Sequence, residues 1–198
     1  TALTTAQTVS LTSDQVGALT TAQAKAITVA DLAVLTSDQV ASVSTANVAA
    51  LTTAQVVALT TTQAEKLGTA QLAALTNTQV KALETADLAK LSTAQLSAVT
   101  TAAIGGLGTA QITALTTEQV SNLTDAQVKA ISAEQAKGLA VDDLAKLTTT
   151  QVQSLTTSEV ASLSPTQIKA MSTGQLRTLS SAQIGAIETQ DFVVLTAN

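Results

Sequence analysis

Asp142 and Asp143 stand side by side, and a pair of carboxylates is a starting point for general acid–base work. They have few partners to work with. The chain of 198 residues contains no His and no Cys, so proton transfer and nucleophilic attack fall to 14 acids, nine bases and the Ser and Thr hydroxyls. Their spacings form no zinc set, no EF-hand or glycine/aspartate calcium loop, and no Gly-rich phosphate loop. The sequence therefore assigns no catalytic residue, no metal ligand and no cofactor. Asp142 and Asp143 fall at the start of a short predicted helix, where the helix dipole favours negative charge.

What would position any of these groups is an eight-residue word repeated without insertion or deletion: apolar, Ser/Thr, Thr/x, x, Gln, apolar, x, small. LTTAQVVA at 51–58 is one copy. Counted from Leu3 through Leu11, Leu19 and Ile27 to Leu195, all 25 first positions are Leu, Ile, Val or Met. A frame this strict means that one structural unit is stacked on itself.

Each octad reads as the start of a helix. Position 2 is Ser or Thr in 20 of 25 cases and position 5 is Gln in 17 of 24, the capping box in which each side chain satisfies a backbone N–H of the other residue. Position 6, apolar beyond Ala in 20 of 24 octads, then packs on position 1 as a hydrophobic staple; Thr8, Ala24, Ala64 and Ala136 are the exceptions. The one proline, Pro165, falls at the first helical position, where its missing N–H does no harm. Charge agrees. All nine bases occupy positions 7 or 8, and every acid except Glu65 lies at positions 2 to 5, so the dipole resets every eight residues.

Two other local structures fit less well. In one continuous α-helix the apolar stripe would slip by roughly 80° per octad, leaving no steady seam. A β-solenoid would suit the threonines, but positions 1 and 6 have opposite parity, and Ala and Gln are poor strand formers. The expected fold is all-α: a solenoid of two-turn helices, from position 3 to about position 9, one per octad. Such a helix is unstable alone, so cohesion must come from neighbouring copies. The array is expected to run through residues 1–198 as one domain, cut from a longer array. The number of octads per turn is not legible. The Asp-Leu-Ala octads starting at 27, 83 and 139 recur every seven octads, as block duplication or superhelical geometry would produce.

Three further features stand out. Ala103 replaces the capping Gln in VTTAAIGG, where Gly105 and Gly106 follow, which predicts a local bend or weak helix, or a ligand notch. Position 3 is Thr in 15 of 25 octads and is less tied to capping, so these residues are expected to form a regular exposed array. Position 8 is Ala, Ser or Gly in 17 of 24 octads, which lets adjacent helices approach closely.

Composition narrows the partners. A net charge of −5 removes the electrostatic term that nucleic-acid binding needs and leaves no polybasic patch for anionic lipid. Polar residues interrupt every few positions, so no run approaches a membrane span and no membrane insertion is expected. With 45% apolar residues the chain should fold, although Phe192 is its one aromatic residue.

LTTAQVVAL at 51–59 resembles the opening helix of the DNA-binding repeats of TAL effectors, but the second helix, the base-reading loop and the basic residues have no counterpart. Over its whole length the chain more closely resembles the Leu-Thr-Thr-x-Gln-Val-x-Ala octapeptide arrays of very large bacterial surface or secreted proteins, often labelled adhesin-like. That resemblance implies a bacterial source, a secreted or cell-surface setting and an extended region, and it brings no functional residues. The function expected is a non-enzymatic stalk or spacer. The alternative is a binding module whose solenoid surface takes protein or glycan, or which self-associates end to end. Ice binding through the threonine array is a third reading.

Overall fold

The computed structural model describes residues 4–188. Leu3, Phe192 and Leu195 of the octad frame lie outside them. Among the described residues there are twenty-three helices and no strand, from α1 (Thr5–Val9) to α23 (Ser181–Ala186), one to each octad. The all-α reading and its frame hold.

The local conformation follows from the capping word. In α8 (Thr61–Lys66) the N-cap Thr60 is extended, at φ −74° and ψ 156°, and its hydroxyl accepts the Gln63 N–H. The Gln63 side chain returns the bond by accepting the Thr60 N–H at 2.8 Å. At the other end Leu67, at φ −58° and ψ 131°, is extended again, and α9 (Thr69–Ala74) begins after Gly68. Helices therefore run for five or six residues, ending one or two positions short of position 9. Position 1 cannot stay helical because its extended backbone swings the chain into the next cap while its side chain turns inward. No residue among those described has positive φ, so two extended residues make each turn and glycine is not needed there.

Helices stack three octads apart. The chain divides into two compact units, residues up to Ala103 and residues from Ile104 onward, with the division inside α13 (Thr101–Gly105). In the first unit α2 (Ser13–Gly17), α5 (Ser37–Ser42) and α8 form one row, and α3 (Thr21–Ala26), α6 (Thr45–Ala50) and α9 form another. In the second, α17 (Ala133–Lys137), α20 (Thr157–Ser162) and α23 do the same. Each unit is a solenoid-like stack whose interior is filled by positions 1 and 6. Leu72, Leu88, Ile112, Leu144 and Ile168 are fully buried at position 6, with Leu67, Leu83 and Leu147 beside them from position 1. Ala24, Ala64 and Ala136 are buried at position 6 as well, so the small exceptions keep their place in the core.

Stacked helices within a row lie close where side chains are small. A Cβ on Gly105 would sit 2.6 Å from the carbonyl oxygen of Ala130, at the end of α16 (Asp125–Lys129). One on Gly138 would sit 2.7 Å from the Thr109 methyl. Positions 7 and 8 therefore set the spacing between stacked helices. Gly105→Ala forces α13 and α16 apart and is expected to cost roughly 1–3 kcal/mol. Gly185→Ala, with open space around its Cβ, is expected to stabilise by roughly 0.5–1 kcal/mol through helix propensity alone. Urea unfolding of the two variants checks the contrast.

Candidate functional site

The feature that recurs through both units is the side chain at position 5. In the capping box only its carbonyl oxygen is used, and the amide nitrogen is left over. The fold gives that nitrogen a second task. Gln63 Nε2 donates to the carbonyls of Leu32, at 2.9 Å, and Leu35, at 2.7 Å, at the end of α4 (Val29–Val34) and in the turn after it. Gln55, in α7 (Thr53–Val57), makes the same bonds to Ala24 and Ile27, and Gln79 to Val48 and Leu51. In the second unit Gln135 reaches Ile104 and Leu107, Gln167 reaches Ala136 and Leu139, and Gln175 reaches Leu144 and Leu147. One amide thus caps the start of its own helix and the end of the helix four octads earlier.

Burial tracks this double use. Gln7, Gln15 and Gln23 are exposed, and no helix lies four octads before them among the described residues. Gln39 of α5, the first with such a partner, is buried and donates to Val9 and Leu11. A helix rests on the one three octads back while its glutamine grips the end of the fourth, so a turn closes between three and four octads. This resolves what the sequence left open.

Shorter residues at position 5 fill the slot differently. Asn47 donates to Leu19 alone, at 2.7 Å, and its Oδ1 accepts from the Thr21 hydroxyl at 3.1 Å. Asp31 accepts from Thr28 at 2.6 Å, and hydroxyl bonds from Thr28 and Thr5 hold its carboxyl below the usual range. For Asp87 burial is the larger influence and pushes the carboxyl up, against a bond from Thr61. Part of the position-3 threonine array is thus engaged by the helix three octads further on in the same row; Thr45, Thr53, Thr69 and Thr85 are exposed, as expected. The capping carbonyl persists without a hydroxyl partner: Gln71 accepts the Gly68 N–H and Gln111 the Gly108 N–H.

The structure separates the two acids singled out first. Asp143 is buried at position 5 of α18 (Val141–Lys146) and accepts the Ala140 N–H at 2.9 Å, while Asp142 is exposed. In the irregular octad Ala103 and Ile104 are fully buried and α13 keeps five residues, so the segment forms a short helix drawn close to its neighbour. Among the described residues no group of three or more Asp, Glu, His or Cys is placed to hold a metal, and no helix is long and apolar enough to cross a membrane.

The inter-row role of the glutamines was missed in reading the sequence, although a signal was present. A capping box accepts Glu as readily as Gln, and the dipole favours Glu, yet Glu159 is the one glutamate in that column. Preference for an amide means that a donor is required.

A family model described as the ALTTAQ repeat matches residues 25–61, 80–117, 138–173 and 167–197, which together span more than half of the chain. No curated protein matches it.

Gln63→Leu strands the Thr60 N–H and the Leu32 and Leu35 carbonyls, and is expected to cost roughly 2–4 kcal/mol. Gln15→Leu loses only the bond from the Thr12 N–H, keeps the Thr12 hydroxyl cap, and should cost about 1 kcal/mol or less. Equilibrium urea unfolding followed by circular dichroism measures both.

Proposed function

Since the chain belongs to the ALTTAQ repeat family, we propose that it is a non-enzymatic structural repeat module, a stalk or spacer within a large bacterial surface or secreted protein. The observation that carries this reading is the short reach of the helix–helix and glutamine contacts among the described residues. A helix rests on the helix three octads away, and its glutamine reaches the end of the fourth. Octads added or removed in whole numbers leave all other contacts in kind unchanged, which suits a part whose property is length.

The chemistry available is consistent with that role. The buried glutamines are held by backbone N–H and carbonyl groups at helix ends, and the charged side chains lie mainly on the surface, with Lys137 and Glu134 paired at 2.8 Å. A net charge of −5 favours mutual repulsion of such arrays.

Small-angle scattering on a chain lacking residues 83–138, seven whole octads, tests the reading. The shortened chain should remain helical, with its largest dimension reduced in proportion to the residues lost. Removing residues 83–86 alone, half an octad, should abolish cooperative unfolding in the octads around the join. A largest dimension that does not change on removing seven octads would end the spacer reading.

A further inference from the structure

Glu159 stands in α20 where glutamine stands in the octads on either side. Gln151, one octad earlier, donates to the carbonyls of Ser121 at 3.0 Å and Leu123 at 2.6 Å. Gln167, one octad later, donates to Ala136 at 3.1 Å and Leu139 at 2.8 Å. By the register of these two glutamines, the carbonyls that the residue at this position would serve are those of Val128 and Ile131, at the end of α16 and in the turn after it. One Glu159 carboxyl oxygen accepts the Thr156 N–H, and the residue is 3% exposed.

An ionised carboxylate has no hydrogen to give. Placed in a glutamine slot it sets acceptor against acceptor away from water, an arrangement that is costly unless something intervenes. Separations of 2.6–3.1 Å at the flanking glutamines admit a proton. They do not admit a metal ion, which needs roughly 2.0–2.6 Å to each oxygen it bridges. We infer that Glu159 joins α20 to α16 as a neutral carboxylic acid, its proton standing in for the glutamine amide, so that this joint of the stack is sensitive to pH.

Surrounding charge does not oppose this. From α17, on which α20 rests, come Glu134 and Lys137, which pair with each other at the surface. From α16 come Asp125 and Lys129, both exposed; α23 carries no charged residue, and Glu188, just after it, is exposed beside Lys137 and Ser158. Burial is the largest influence on the Glu159 carboxyl and pushes it above the usual range, against the bonds from Thr156. A group whose folded value is raised stabilises fully in acid, below its unfolded value, and loses that contribution as pH rises through the folded value. The joint is therefore tightest in acid and loosens towards neutral pH.

Asp87, in α11 (Thr85–Lys90), repeats the arrangement in the first unit. It is 2% exposed and its Oδ2 has no hydrogen-bond partner among the described residues. Glu84 on the cap beside it adds repulsion, and Glu65 and Lys66 of α8, the helix beneath, are exposed. Asp31 goes the other way because two hydroxyls donate to it.

The test is a carboxyl carbon NMR titration of the full chain, with thermal unfolding at several pH values between about 4 and 8. Glu159, assigned by its loss in E159Q, should titrate above the other five glutamates. The melting temperature of the unaltered chain should fall through the same interval, while E159Q should lack that step and melt higher at neutral pH. Gln63→Glu should import the step into the first unit; if it is unfolded at neutral pH it should refold on acidification. Titration of Glu159 with or below its fellows, an unchanged step in E159Q, or a Gln63→Glu chain indifferent to acid would each overturn the inference. None of these outcomes depends on whether the array serves as a spacer.

Discussion

A helix of five or six residues is nearly all ends. Its first four N–H groups and last four carbonyls have no partner within it, so almost none of its backbone is satisfied by its own helical bonds. Everything else in this fold answers that deficit. The hydroxyl at position 2 and the amide oxygen at position 5 close the amino end, the backbone N–H of position 1 closes back onto position 6, and the amide nitrogen at position 5 closes the carboxyl end of a different helix. Because that last bond crosses between rows, the same atoms that complete a helix also hold the stack together. Secondary and tertiary structure form here in one act.

The parts of the fold that depend on neighbours within one octad were legible in the sequence. Thr60 and Gln63, three residues apart, specify a helix start wherever they occur, and Ser164-Pro165 says where the first turn lies. The inward faces followed from the staple between positions 1 and 6. The number of octads per turn was not legible, because it arises from contacts 28 to 31 residues apart between octads of nearly identical composition. When every copy reads alike, no side-chain pattern distinguishes the partner three octads away from one two or four away. The glutamine amide carried the missing information, and the capping box, which uses the oxygen alone, hid it.

The departures from the word show how narrow the tolerance is. Asn47, one methylene shorter than glutamine, reaches one carbonyl and not two, and Thr21 fills in on the other side. Asp31 relies on Thr5 in the same way, and the helices bearing Thr5 and Thr21 are those lying three octads beneath. Position 3 thus compensates when position 5 is short. The seven-octad recurrence of the Asp-Leu-Ala octads fits a turn between three and four octads, since seven octads make two turns when a turn takes three and a half. The octads starting at 27 and 83, both in the first unit, would then face the same side of that unit's stack, a geometric account of a spacing that the sequence read equally well as block duplication.

A core of Leu, Val, Ile and Ala with hardly an aromatic residue is uniform, and uniform apolar packing by itself selects no unique register. A stack slipped by one octad would bury much the same area. It would not satisfy the same amides. Shifting the rows moves every position-5 nitrogen away from the carbonyls it serves and leaves both sides of each bond buried without partners, a cost multiplied along the array. Apolar burial therefore supplies most of the cohesion in each unit, while the glutamine column supplies the choice of which helix lies on which. That division of labour explains why the apolar positions drift freely among Leu, Val, Ile and Ala, whereas the amide is replaced only by other short polar or acidic side chains and, at Ala103, by a residue that donates nothing.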